Sequence, residues 1–264
     1  MKSLRLTRFG KSKSQTIDGP FTYKSTTMIQ ISTMIPIINA FFITVAVCPA
    51  DIAGTPARWE TEIAAFEATD KKQSTPKGGI LFIGSSTIRL WKTLAADFPE
   101  HKVINRGFGG SQITDATHFV PRIVFPYAPQ LIVLRSGVND INVGKPPEQV
   151  FKDYLEFVET VHAGLPSTRI VYLGLCPTVA HIDRFPQCDR LNQLIREHAA
   201  DNSLLGYVDC SDMTLGGDGK PRPGLFAADG FHFNADGYQL LTARTQTIIP
   251  KLSVMQSTDI ENIK

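Results

Sequence analysis

A three-layer α/β/α sandwich around a five-stranded parallel sheet is the fold class this sequence predicts, and three observations predict it. Five short runs are nearly continuous in apolar residues, as strands covered on both faces must be. Amphipathic stretches of helical length separate them. No internal repeat or low-complexity block breaks the alternation, so residues 55–264 are expected to form one domain behind a leader at 1–54. The strand order expected of such a doubly wound sheet is the flavodoxin-like 2-1-3-4-5.

The elements follow in order. TPARWETEIAAFEATDK places Trp59, Ile63 and Phe66 on one face of a helix, with its charges opposite. STPKGG breaks that pattern and delivers the first strand, Ile80 to Ile83. A helix after Ser86 leads to a second strand, Val103 to Asn105, and a helix from Ser111 to about Phe125. Leu131 to Leu134 is the third strand, and Pro147 to about Ala163 is a long helix burying Val150, Tyr154, Val158 and Val161. Ile170 to Leu175 is the fourth strand, closed by Pro177, and a helix spans Gln187 to about Asn202. Tyr207 and Val208 with their flanks make the fifth strand. Turn-rich SDMTLGGDGKPRPG precedes a last helix, capped by Asn234 and running to about Pro250.

With 42% hydrophobic and 20% charged residues, the chain can bury a full core, and a net charge of +2 gives no electrostatic case for nucleic acid. The basic bias lies at the start: Lys2, Arg5, Arg8, Lys11, Lys13 and Lys24 against the single acid Asp18. Residues 25–50 then carry no charge, and Ala50 stands near the exit. That pattern reads as an export signal, with translation starting at Met1, Met28 or Met34; the same stretch is long enough for a membrane anchor. Export is the expectation, and a buried helix or disordered leader of a cytoplasmic protein is the alternative. Removing the leader takes Cys48 with it and leaves Cys176, Cys188 and Cys210. These read as small buried filler, with a single Cys176–Cys188 bridge left open.

Three polar signals each follow a strand-like run: Gly84-Ser85-Ser86 after ILFI, Gly107 to Gly110 in NRGFGGS after KVIN, and Gly137-Val138-Asn139-Asp140 after LIVLR. In an open parallel sheet these strand ends converge on one crevice. Further on, Asp229 stands three residues before His232. A serine opening a helix and an acid–histidine pair are the parts of a serine hydrolase. Ser86 alone would read more readily as a helix cap. Glu159 and His162 repeat the spacing on the polar face of a long helix and read as a solvated surface pair; His101, His118, His181 and His198 lack a comparable setting.

Together the segments FIGSSTIRLW, VINRGFGGSQITD, SGVND and DGFHFNADGY, in this order, resemble the four blocks of the SGNH (GDSL-type) hydrolase superfamily. The likeness runs from about Arg58 to the last helix and is strongest to the branch of platelet-activating-factor acetylhydrolase catalytic subunits and bacterial GDSL-like esterases. One departure stands out: Ser85 occupies the place where the family's name expects aspartate, and a supporting hydrogen bond is its expected role. The resemblance implies Ser86 as nucleophile, His232 as general base and Asp229 as its orienting partner. It implies an oxyanion hole from the N–H groups of Ser86 and Gly110 and the side-chain amide of Asn139, with Asp140 fixing the turn. A dinucleotide loop is disfavoured because Gln112 holds the third glycine position.

Phe108, Leu225, Phe226 and Phe231 flank these blocks and read as pocket lining or core, with Phe108 and Phe231 as the substrate-binding candidates. Arg106 and Arg135 read either as contacts to an anionic group or as partners of nearby acids. No metal constellation is visible, and no cofactor is expected. The function expected is a serine esterase acting through an acyl-enzyme on small, acetyl-like esters of carbohydrate or lipid. An acyltransferase on the same scaffold and a non-catalytic carbohydrate- or lipid-binding descendant are the alternatives. The oligomeric state stays open.

Overall fold

Apolar runs of four or five residues can bury both faces only by pairing inside a covered sheet, and that is what they do. In the computed structural model, which describes residues 55–73 and 75–249, the first half of the chain runs α1 (Glu60–Lys72), β1 (Ile80–Gly84), α2 (Ser86–Arg89), α3 (Leu94–Asp97), β2 (Val103–Gly107) and α4 (Ile113–Ile123). The second half runs β3 (Leu131–Arg135), α5 (Val138–Asn142), α6 (Pro147–Gly164), β4 (Arg169–Leu173), α7 (Phe185–Ala200), β5 (Leu205–Val208) and α8 (Ala235–Gln246). All pairings are parallel and the order is β2-β1-β3-β4-β5, as expected. The described residues all belong to one compact unit.

Alternation along β1 divides the core. Leu81 and Ile83 join Ile63 of α1, Phe119 of α4, Tyr154 of α6 and Leu191 of α7. Ile80 and Phe82 join Ile88, Trp91, Phe98 and Leu241 of α8 on the other face. Because β1 lies between β2 and β3, the chain leaves it in opposite directions, and a crevice opens at the carboxyl end of the sheet.

Three local expectations change. The helix after Ser86 is a single turn, α2, with α3 following separately. Trp91 explains the break: its indole turns into an aromatic cluster with Phe82, Phe98 and Tyr238 and donates to Asp97 Oδ2 at 2.6 Å. Asn139 and Asp140 sit in a short helix, α5, not in a bare turn. His162 engages the Thr168 carbonyl at 2.9 Å, so its partner is backbone and not Glu159.

Asn234 caps α8 as expected, its Oδ1 accepting from the Gly237 N–H at 3.1 Å. Cys176, Cys188 and Cys210 are free and buried, so no Cys176–Cys188 bridge forms. The expected leader, residues 1–54, lies outside the described residues. Among the described residues no helix is long and apolar enough to cross a membrane.

Candidate active site

Three pieces of the site follow the ends of β1, β2 and β3, and the acid–histidine pair lies on the loop that leads into α8. β1 ends at Gly84, Ser85 follows at the N-cap position, and Ser86 opens α2. The Ser86 side chain is buried apart from a 7% exposed edge, and its Oγ lies 3.0 Å from His232 Nε2. His232 Nδ1 lies 2.6 Å from Asp229 Oδ2. Asp229 Oδ1 accepts from the N–H groups of Phe231 and His232, both at 2.9 Å.

The acid and the imidazole are therefore locked together by a loop that folds on itself. That loop is pinned by Ala227 N–H to the His232 carbonyl at 2.8 Å and by Ala180 N–H to the Gly230 carbonyl at 3.0 Å. The hydrogen bond from His232, then those from the two backbone N–H groups, hold the Asp229 carboxyl down at about 2. An ionised Asp229 keeps the proton on Nδ1, which leaves the Nε2 lone pair facing the Ser86 hydroxyl.

The glycine turn lies beside this serine. Gly107 closes β2 so tightly on α2 that a Cβ there would stand 2.2 Å from the Arg89 backbone nitrogen. Asn105 stitches the contact, donating to the Ile88 carbonyl at 2.6 Å and accepting from the Gly107 N–H at 2.9 Å. Gly110 has φ +79°, a conformation that L side chains rarely adopt, and the Trp59 indole covers it. Neither the Ser86 nor the Gly110 N–H has an acceptor among the described residues. Asn139 Nδ2 donates to the Ser111 carbonyl at 2.9 Å, which sets its amide against the same turn and leaves its second N–H.

Asp140, fully buried, accepts from the Ile113 N–H at 3.3 Å and from Lys145 at 3.1 Å. Burial pushes its carboxyl above the usual range, against the pull of Lys145. It thus ties α5 to the start of α4, and not only its own turn.

Of the aromatic candidates, Phe231 stands at the site, its ring 4.9 Å from that of His232 and 5.1 Å from that of His181. Phe108 does not line a pocket. It is fully buried, edge-on to Trp59 and Phe119, because its side chain falls on the α4 face of the sheet. Leu225 and Phe226 are also core. Ser85 makes no side-chain hydrogen bond among the described residues; its N–H donates to the Arg135 carbonyl at 3.2 Å.

Three features escaped sequence reasoning: Asn105 as a stitch, Trp59 over Gly110, and the partners of Asp140. Only the polar Asn105 ending an apolar strand gave a readable signal. Among the described residues no group of three His, Cys, Asp or Glu could hold a metal ion.

Residues 83–240 match the family described as the GDSL-like Lipase/Acylhydrolase family. Platelet-activating factor acetylhydrolase IB subunit alpha1 of Bos taurus is 29% identical over 203 residues, covering 72% of this chain and 77% of the relative. The structure of a GDSL-like lipase from Bacteroides thetaiotaomicron has a TM-score of 0.61 at 21% identity, over 75% of this chain and 98% of that one. A carbohydrate esterase family 3 structure from Talaromyces cellulolyticus gives 0.53 at 16% identity, over 66% and 97%.

Proposed function

We propose a mechanism from the premise that the chain belongs to the GDSL-like lipase/acylhydrolase family, within the SGNH superfamily, and is a carboxylic ester hydrolase. Ser86 Oγ attacks the ester carbonyl while His232 Nε2 takes its proton, and Asp229 stabilises the imidazolium that forms. The N–H groups of Ser86 and Gly110 and the Asn139 amide receive the oxyanion. As the tetrahedral intermediate collapses, the imidazolium protonates the leaving alcohol and an acyl group stays on Ser86. Water then attacks that acyl-enzyme with His232 again as base, and the carboxylic acid leaves with Ser86 restored.

The observation that carries this reading is the chain of contacts from Ser86 to His232 to Asp229, at 3.0 and 2.6 Å. A small acyl group is favoured because the relative above is named an acetylhydrolase. Carbohydrate or lipid is the alcohol we propose. A panel of p-nitrophenyl esters and acetylated sugars, run with wild type and Ser86→Ala, tests the reading. Short-chain esters are expected to turn over in wild type and not in the variant. Equal rates in both would overturn it.

We place the catalytic domain, from residue 55 onward, outside the cytoplasm, carried by the basic and then uncharged leader. Full-length protein found soluble in the cytosol with an intact N-terminus would contradict this.

A further inference from the structure

Arg106 and Arg135 began with the same two readings, an ion pair or a contact to an anionic group, and the structure separates them. Arg106 meets Asp70 at 2.6 Å and the Tyr127 hydroxyl at 2.9 and 3.0 Å. Arg135 is just as buried, 5% exposed, yet no carboxylate pairs with it among the described residues. Its Nη1 donates to the Gly174 carbonyl, its Nη2 lies 3.3 Å from Cys176 Sγ, and the Phe233 ring centroid is 5.7 Å away. Burial works against the charge, the sulfurs of Cys176 and Cys210 work for it, and the net direction is upward. A buried cation without an anionic partner is costly, so its neighbourhood should supply one.

That neighbourhood is a cavity of about 30 Å³ at the carboxyl ends of β1, β3 and β4. Ser85, Ser136 and Thr178 line it together with Arg135, and all four are buried. Ser136 Oγ is almost fully out of contact with solvent and has no hydrogen-bond partner among the described residues. A cavity needs about 10–15 Å³ by this measure to hold one water, so the space suits a group of two or three heavy atoms and not a sugar ring. Hydroxyl donors around a guanidinium, with no acid among the lining residues, match an acceptor-only group carrying negative charge. Ser85 precedes the nucleophile and Phe231, also lining the cavity, precedes the base, so a group held here is bonds away from the reacting ester.

We propose that this cavity is a carboxylate subsite, and that the preferred esters carry a free carboxylate held by Arg135 with the hydroxyls of Ser85 and Ser136. The proposal rests on the serine-esterase reading and adds a substrate class to it. The carboxylate can belong to the acyl part, as in a dicarboxylic half-ester, or to the alcohol part, as in an O-acylated hydroxy acid. Aspartate in the place of Ser85 would bring a carboxylate of the protein's own to the same cavity.

The test compares kcat/KM within two matched pairs, followed by acid release. Monomethyl succinate against methyl butyrate places the charge on the acyl side; O-acetyl-lactate against its methyl ester places it on the alcohol side. Wild type is expected to favour the charged member of at least one pair by about 10- to 100-fold, the range of a charged hydrogen bond. Which pair shows the preference identifies the side. In Ser85→Asp and in Arg135→Met that ratio is expected to fall to about one or below. Should Arg135→Met fail to fold, Ser85→Asp and the wild-type ratios still decide.

Ratios near one for both pairs in wild type, or a preference that survives in Ser85→Asp, would overturn the proposal. Neutral esters cleaved by wild type and not by Ser86→Ala, with ratios near one, would remove the subsite and keep the nucleophile. Cleavage persisting in Ser86→Ala would remove the nucleophile, and the ratios would still judge the subsite.

Discussion

Replacing Asp229 by asparagine asks whether the carboxylate sets the histidine's tautomer. In the wild type one carboxylate oxygen serves two backbone N–H groups and the other serves His232 Nδ1. Asparagine has one acceptor oxygen. If that oxygen keeps the backbone pair, the amide NH2 points at Nδ1, which must then be the lone pair. The proton moves to Nε2, facing Ser86 Oγ, and the base is lost. If the amide turns over, its NH2 meets two N–H donors, losing two hydrogen bonds to keep one. The first arrangement is therefore favoured.

In a buried serine-protease triad the corresponding change lowers kcat by about 10⁴-fold. Here the Asp229 side chain is 49% exposed, so water can replace part of what is lost. The expected fall is about 10³-fold in kcat with KM little changed, since no substrate-binding group is altered. Initial rates on p-nitrophenyl acetate, with circular dichroism to establish folding, measure it. A folded Asp229→Asn within tenfold of wild type would refute the reasoning.

Asn139→Ala should lower kcat by about 10²–10³-fold, the usual effect of removing one oxyanion donor, in steady-state kinetics on the same ester. Gly107→Ala sets a Cβ 2.2 Å from the Arg89 backbone nitrogen and should lower stability by about 3 kcal/mol, read from urea unfolding. Asp229 also predicts a pH dependence. Its carboxyl is held at about 2 when folded, below the ordinary 3.8, so its stabilising contribution is present above 3.8 and is lost as pH falls through 2. The gap in denaturation midpoint between wild type and Asp229→Asn should be constant near neutrality and close across that window; a gap that widens in acid would contradict it.

The central strands β1, β3 and β4 were legible because each is a run of apolar residues buried on both faces, a pattern that helices on one face of a domain do not share. The edge strands β2 and β5 are shorter in apolar residues and only partly buried. Strand ends were less legible. β1, β2 and β3 each run one or two residues past the apolar stretch, because Gly84, Arg106 with Gly107, and Arg135 continue the ladder without adding hydrophobicity. The polar blocks were readable as strand-end signals, and the structure brings Ser86, Asp229 and His232 into hydrogen-bonding contact. Phe108 was not readable, since a phenylalanine in a glycine turn carries no mark of which face of the sheet it will enter. The brevity of α2 depends on Trp91 finding Phe82, Phe98 and Tyr238, contacts between segments that local sequence does not encode. The contrast between Arg106 and Arg135 is also tertiary: Asp70 lies 36 residues before Arg106.

The central claim is that Ser86, and not Ser85, is the nucleophile. Both are serines at the end of β1, and both are buried. Only Ser86 Oγ meets His232 Nε2, while Ser85 Oγ has no partner among the described residues. Labelling the folded protein with a serine-directed phosphonate, followed by peptide mapping, tests this directly. The account predicts one covalent adduct, on Ser86, formed in wild type and in Ser85→Ala and absent from Ser86→Ala. An adduct on Ser85, or undiminished labelling of Ser86→Ala, would contradict it.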